Sequence, residues 1–570
     1  MRVHLPSVLL LGVVACAAAP KAPDDDASPG AEATMSEGEV ATWIAAEVEA
    51  YRPLSVSEGR AWFEASVKGG DEAWAKVEEA SNALDRFLSE RGRFERLRAA
   101  RAPGVIADPL LARQVESLYL SALPKQVDPA LLERLNALGT EVEKAFNAYR
   151  GELGGKPVSQ NEIEEVLRTS TDSAELQRAW EAQKGIGPLV APKLRELVGL
   201  RNEVARSLGF RDYYALRLEA QELDEEALLA LFDRLDELTR EPFLAAKAEV
   251  DARLSKRLGV PAAELKPWHY QNPFFQAPPE VYETGLEALY EEQDTLALCR
   301  RFYESIGLPV EAILERSDLY EREGKTPHAF AIDIDREGDV RVIANVVPGY
   351  QWLSTMVHEL GHAVYDEGID DALPWLLRTT SHPLATEGSA MMLDRLVQNP
   401  WWAEGMGLID AERRAAMLPE ARAQLAFSSL LFSRWAQVML RFERELYRDP
   451  DQDLNALWWR LVERYQGLKA PAGRDAPDYA SKIHLVTVPV YYQNYMLGEL
   501  FAAQVHESIA GLQGKAPEEA VYFGDPRVGA FLVEKVFAPG DRWRWDALTE
   551  RATGKPLGPE AFARRFQPAP

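Results

Sequence analysis

Two histidines four residues apart inside an apolar repeat commit one stretch of this chain to a buried helix. Leu353, Met356, Val357, Leu360 and Val364 recur at helical spacing around His358-Glu359-Leu360-Gly361-His362, the pattern of an amphipathic or buried helix. Residues four apart project from the same helical face, so both imidazoles can reach one zinc ion. Glu359 lies between them, placed to take a proton from a water that such a metal activates. The bland alternative is a helix whose histidines merely satisfy hydrogen bonds in the core.

A zinc ion used in catalysis takes three protein ligands and keeps one position open. The segment 383–393 reads as a second buried helix, with Thr386 as its expected N-cap and Glu387 as the acid of its first turn. Such an acid can serve only to complement the helix dipole; beside a histidine pair in need of a carboxylate, Glu387 is the favoured ligand. Asp366, Glu367, Asp370 and Asp371 compete for that role but lie in a polar stretch that reads as a solvated loop.

Two further segments suit an extended peptide. His328 to Ile334 alternates like a strand, Arg336 to Asp339 reads as a turn, and Val340 to Val346 as the return strand. A hairpin in an otherwise helical chain offers an edge to which a substrate backbone can pair. Downstream, Lys482-Ile483-His484 leads to Tyr491, Tyr492 and Tyr495. A lysine is a compact point charge for a carboxylate, and His or Tyr donors can stabilise an oxyanion. On composition alone the tyrosines would be core packing and the lysine a surface residue.

Taken in order, these motifs resemble the angiotensin-converting-enzyme family of zinc peptidyl-dipeptidases: His-Ala-x-Ala (His328 to Ala331), His-Glu-x-x-His, a Glu in the next helix, and Lys-x-His before a proline and paired tyrosines. Weaker similarity runs from about Glu39 to the C-terminus, through Arg178-Ala179-Trp180-Glu181, Leu197 to Ala215 and Ala552 to Phe566. The resemblance implies a mainly α fold, two helical lobes around a deep central cleft, with a small antiparallel hairpin beside the zinc helix. It implies one Zn2+ per chain on His358, His362 and Glu387, with Glu359 as general base and then proton donor to the leaving amine. It further implies that His328 and His484 bond substrate carbonyls and that Ala329 and Ala331 pair with the peptide backbone. Lys482 would hold the C-terminal carboxylate, which selects release of a dipeptide.

Tyr492 and Tyr495 keep the three-residue separation of the family's two tyrosines, although the stretch after His484 is one residue longer than the family pattern. Tyr495 is the expected oxyanion donor; Tyr491 and Tyr492 compete for the carboxylate. The family's carboxylate-binding glutamine is expected at Gln271, in Trp268-His269-Tyr270-Gln271. The chloride-binding arginine of animal members is absent, with Gln493 and Asn494 in that interval, and Met391 stands where an acid is expected one turn after Glu387. Gly361 to Tyr365 also resembles helical zinc carboxypeptidases, and oligopeptidases share the zinc helix and a Tyr-rich loop. A non-catalytic, peptide-binding envelope lipoprotein is the reading from a different class.

The first residues read as a targeting segment. Val8 to Ala15 is apolar but too short to span a bilayer, and Val13-Val14-Ala15-Cys16 resembles a bacterial lipobox with Cys16 as the lipidated residue. We therefore expect a leader at 1–15, a tether at 16–36 rich in Ala, Pro, Asp and Gly, and one helical peptidase unit at 37–570. The expected location is the bacterial cell envelope, with the membrane engaged only through the lipid; an ordinary secreted protein is the alternative. With Cys16 modified, Cys299 is the one remaining thiol of two cysteines, which excludes an internal disulfide. A net charge of −26 without a basic patch excludes nucleic acid as a partner, leaving oligopeptides as the expected substrates.

Overall fold

In the computed structural model residues 35–566 are described; Cys16, the leader and most of the tether lie outside the described residues. Helices carry nearly all of the ordered chain. Helical periodicity in the sequence predicts long runs at 81–99, 162–208 and 224–258, and some of these are interrupted where an acidic side chain caps a new start. The run 81–99 breaks at Glu90, whose carboxylate accepts from the amides of Gly92 (2.7 Å) and Arg93 (2.6 Å). Residues 162–208 form three helices, one of them begun by Asp172 bonded to the Ala174 amide at 2.8 Å. Local capping competes with helix continuation wherever such residues occur, and periodicity alone does not see it. By contrast Glu225–Leu258 runs through unbroken.

The largest apolar cluster draws on four helices that frame the site: the motif helix Tyr350–Glu367, the acid helix Pro383–Asp394, the long helix Ala411–Arg448 and the tyrosine helix Tyr492–Gln513. Three of them approach closely because side chains are missing at the crossings. A Cβ on Gly361 would stand 2.9 Å from Ala390 Cα, and one on Gly388 would stand 2.7 Å from the Gly498 carbonyl oxygen. Cα-to-backbone packing of this kind lets short side chains on different helices meet.

A second core holds Val40, Ile44, Leu97 and Leu118 of the N-terminal helices together with Trp375 and Leu376, which follow the motif helix. The hairpin beside the motif helix pairs Phe330–Asp333 with Val340–Ile343, antiparallel, with Ala331 opposite Val342. It is shorter than the alternating pattern suggests, so His328 and Ala329 precede the strand. Asp333 closes the turn by accepting from the Arg336 amide at 2.8 Å, while Arg336 takes the left-handed conformation at φ 59. A smaller two-stranded sheet at 151–158 lies elsewhere. Cys299 is fully buried, as expected of a packing residue. No helix among the described residues is long and apolar enough to cross a membrane.

Candidate active site

His358 and His362 face each other from the motif helix with their Nε2 atoms 3.1 Å apart. Glu387 Oε2 lies 3.8 Å from the first and 3.9 Å from the second. Among the described residues these three form the one cluster with metal-ligand character; Asp366, Glu367, Asp370 and Asp371 are not part of it. Thr386 is not the N-cap of the acid helix. The helix begins earlier, at Pro383, capped by His382, whose ring nitrogen accepts from the Leu384 amide at 3.0 Å. Glu387 therefore sits beyond the first turn, where complementing the dipole no longer accounts for it.

Each imidazole is oriented from behind. His358 Nδ1 donates to Asp394 Oδ2 at 2.9 Å, and His362 Nδ1 pairs with Thr386 Oγ1 at 2.6 Å. Such partners set the tautomer and raise the basicity of the opposite nitrogen. Asp394 and Thr386 were not legible as site residues, because each is identified only by which helix face the histidines meet. Asp394 does the work expected of an acid at 391, three residues further along the same helix.

The donor set fits a cation. The two imidazoles aim their Nε2 atoms at the same space, 3.1 Å apart, a pairing that needs a positive charge between them, either a proton or a metal ion. Two nitrogens bonded to one tetrahedral zinc at about 2.0–2.1 Å stand about 3.3 Å apart, close to the spacing here. Burial lowers both imidazoles, but Asp394's bond and charge carry His358 up to about 9, whereas His362, beside His358, is pushed well below its ordinary value. Glu387 is pushed up to about 7, first by burial and further by Glu359 and Asp394 despite the pull of His358. A divalent ion relieves all three strains at once.

Glu359 is 4 % exposed, and its Oε2 is buried without a hydrogen-bond partner. Burial raises its pKa, opposed by His358 and by a hydrogen bond from the Ala331 backbone. Glu359 and Tyr495 line one cavity with His358 and Glu387. Tyr495 is buried at 4 % exposure and packs edge-on against Tyr491 and Tyr492, with ring centroids 5.3 and 5.5 Å away. Of the three tyrosines it alone reaches this cavity wall.

Lys482 is 5 % exposed, not a surface residue. Its ammonium donates to Gln276 Oε1 at 2.6 Å and lies 5.6 Å from the Tyr492 ring centroid. Burial pulls its pKa down to about 7. Gln276 also lines the metal cavity, whereas Gln271, the expected carboxylate binder, is not brought to that wall. That residue is a backbone clamp: left-handed at φ 60, it donates to the Arg168 carbonyl at 2.8 Å and accepts from the Glu280 amide at 2.6 Å. The aromatic pair before Gln276 was the signal available, since Phe274 packs 5.3 Å from the same ammonium. His484 is buried against Tyr492 with centroids 5.5 Å apart, its Nδ1 lacks a partner, and burial pulls its pKa to about 2. His328 is exposed, with only its backbone amide bonded locally to Thr326; the structure does not bring its side chain to the cavity wall.

Gln221, unremarked in the sequence, joins two of the site's helices. Its amide donates to the carbonyls of Arg217 (2.7 Å) and Val490 (2.9 Å), and its Oε1 accepts from Asn494 at 2.6 Å. Its own carbonyl accepts from His382 Nε2 at 3.0 Å, the residue that caps the acid helix. Val490, left-handed at φ 55 just before the tyrosine helix, is pinned through its amide to buried Glu443 at 2.8 Å.

A helical fold, a His-Glu-x-x-His helix and a carboxylate from the following helix define a metallopeptidase. A sequence model of peptidase family M2, described as angiotensin-converting enzyme, matches residues 34–241 and 270–569. This chain belongs to the angiotensin-converting enzyme family. It is 25% identical over 507 residues to the angiotensin-converting enzyme of Haematobia irritans exigua, covering 80% of this chain and 81% of that protein. An angiotensin-converting enzyme-like protein of Mus musculus is 23% identical over 504 residues, covering 80% and 66%. The angiotensin-converting enzyme of Rattus norvegicus is 25% identical over 446 residues, covering 71% and 33%. The chain thus spans about a third of the rat protein, two thirds of the mouse protein and four fifths of the Haematobia one.

Proposed function

We propose that this chain is a zinc-dependent peptidyl-dipeptidase that removes dipeptides from the C-termini of oligopeptides. The observation that carries the reading is buried Lys482, bonded to a glutamine that lines the metal cavity. A fixed cation beside the reacting centre positions the substrate by its C-terminal carboxylate.

His358, His362 and Glu387 would hold the zinc, which when bound supplies Lewis acidity towards the scissile carbonyl and towards water. Glu359, with one carboxylate oxygen unpartnered, accepts the proton of the attacking water and returns it to the leaving amine. Tyr495 donates to the oxyanion that forms on the carbonyl. Lys482, Gln276 and Tyr492 grip the carboxylate, and His484 supplies a donor for a substrate carbonyl. The N–H and C=O of one residue in an antiparallel strand point the same way. The Ala331 amide serves Glu359, so its carbonyl remains for the peptide, with Ala329 extending that edge and His328 bonding a carbonyl at its exposed start. Cys16 carries the lipid that holds the peptidase unit, 37–570, on the bacterial envelope; Cys16→Ser should move it from the membrane to the soluble fraction, and unchanged partition would refute the anchor.

The test is an N-acetylated decapeptide followed by mass spectrometry with the zinc-loaded protein. Successive loss of C-terminal dipeptides is expected, sharply slowed when the peptide is amidated. Loss of single residues or internal cuts would replace the dipeptidase reading with a carboxypeptidase or an oligopeptidase.

A further inference from the structure

The helices around the metal bury apolar faces almost throughout, yet most residues lining the cavity they leave carry polar groups, set beside Pro278, Met391 and Phe432. Gln351 and Thr355 stand seven and three residues before His358, on the same face of the motif helix. Arg395, Gln398, Ser429 and Glu499 add to the polar part of this wall, in a cavity of about 100 Å³. All of these except Gln351 and Arg395 are less than a tenth exposed. Arg395 Nη2 donates to both oxygens of Glu499, at 2.5 Å to Oε2.

Packing gives no reason for this polarity. A buried ion pair costs desolvation, and apolar side chains of the same volume serve stability as well or better. Moreover Arg395 Nη1 is buried without a partner, a loss that a ligand's carbonyl oxygen would repair. The pair as a whole is neutral and offers a spare donor from Arg395 beside the acceptors of Glu499. Its complement is a side chain that is itself neutral and carries both a carbonyl and an N–H.

The cavity's position says which substrate residue it meets. His358 and Glu387 line it at one end, and Gln276, which bonds Lys482, lines it at the other, so it runs from the metal ligands towards the proposed carboxylate grip, on the C-terminal side of the scissile bond. We propose that this cavity is a subsite for a carboxamide side chain, glutamine or asparagine, on the first residue after the scissile bond. The proposal rests on the peptidase reading above, since that reading defines the carboxylate grip.

The experiment separates the two. The zinc-loaded protein is titrated calorimetrically with the product dipeptides Gln-Ala, Leu-Ala, Phe-Ala, Lys-Ala and Asp-Ala, a measurement that needs no turnover. Gln-Ala should bind about tenfold tighter than Leu-Ala, because a site built to hydrogen-bond rejects the analogue that lacks the group. In Arg395→Met with Glu499→Leu, which removes both charges together and leaves neither alone, the order should invert to favour Leu-Ala, with thermal stability unchanged or raised. Leu-Ala, Phe-Ala or either charged dipeptide binding as tightly as Gln-Ala would overturn the subsite, as would an unchanged order in the double variant. Blocked peptides with the same five residues after the scissile bond are then assayed for hydrolysis. Their failure to be cleaved, with the dipeptide order intact, would count against the peptidase reading and not against the subsite.

Discussion

The two ends of the site are built to different standards of completion. At the metal end each histidine is bonded from behind, by Asp394 and by Thr386, and the two helices carrying these residues touch at Gly361 and Ala390. At the carboxylate end Lys482 has a single hydrogen bond and a pKa drawn down to about 7, while the buried Nδ1 of His484 has none. The difference teaches that the histidines have their hydrogen-bond partners in place without a ligand, whereas the Lys482 end is left under-satisfied, as the proposed reading asks of an anchor that a substrate carboxylate completes. Preorganisation where charge develops is the larger catalytic effect; an anchor whose hydrogen bonds wait for ligand contributes to binding instead.

The contrast can be broken at its strong end first. Glu359→Gln should lower kcat by about 10²–10⁴ while leaving one zinc per chain by metal analysis; an activity indifferent to the change would sink the mechanism. Next, Lys482→Met should raise KM by about a hundredfold with kcat nearly kept, the mark of an interaction made equally in ground and transition states. The same lysine predicts a pH dependence. Its folded pKa is depressed to about 7, so the ammonium is present below that pH and lost above it, and KM should climb by up to about tenfold per unit on the alkaline side. Lys482→Arg, with a guanidinium that stays charged, should flatten that limb.

Asp394→Ala should weaken zinc affinity by about 10–100-fold, read by competition with a chelator, with KM unchanged once metal is saturating. The smallest effect is expected from Gln221→Ala, about tenfold in kcat, through loosening of the start of the tyrosine helix. If Gln221 acts through Tyr495, the same substitution in a Tyr495→Phe background should cost little more; additive losses would mean that Gln221 is only structural.

Part of this protein was readable residue by residue. The pentapeptide, its apolar repeat and the acid 25 residues beyond His362 specify a helix pair whose facing side chains suit a metal, because helical periodicity and ligand chemistry are both local properties of sequence. The same holds for the hairpin, though its ends were overestimated: alternation continues into His328, but backbone pairing starts only at Phe330. What sequence alone could not decide is which distant side chains stand behind or beside those residues. That Gln276 and not Gln271 borders the cavity, that Asp394 stands behind His358, that Tyr495 alone of three tyrosines reaches the wall, and that Gln221 links two helices all depend on where one element's face meets another's. Those meetings follow from close packing at crossings such as Gly388 on Gly498, where the absence of two side chains sets the distance between helices. Local periodicity therefore determined that His358, Glu359, His362 and Glu387 stand on two buried helices, and tertiary packing alone determined which side chains meet them.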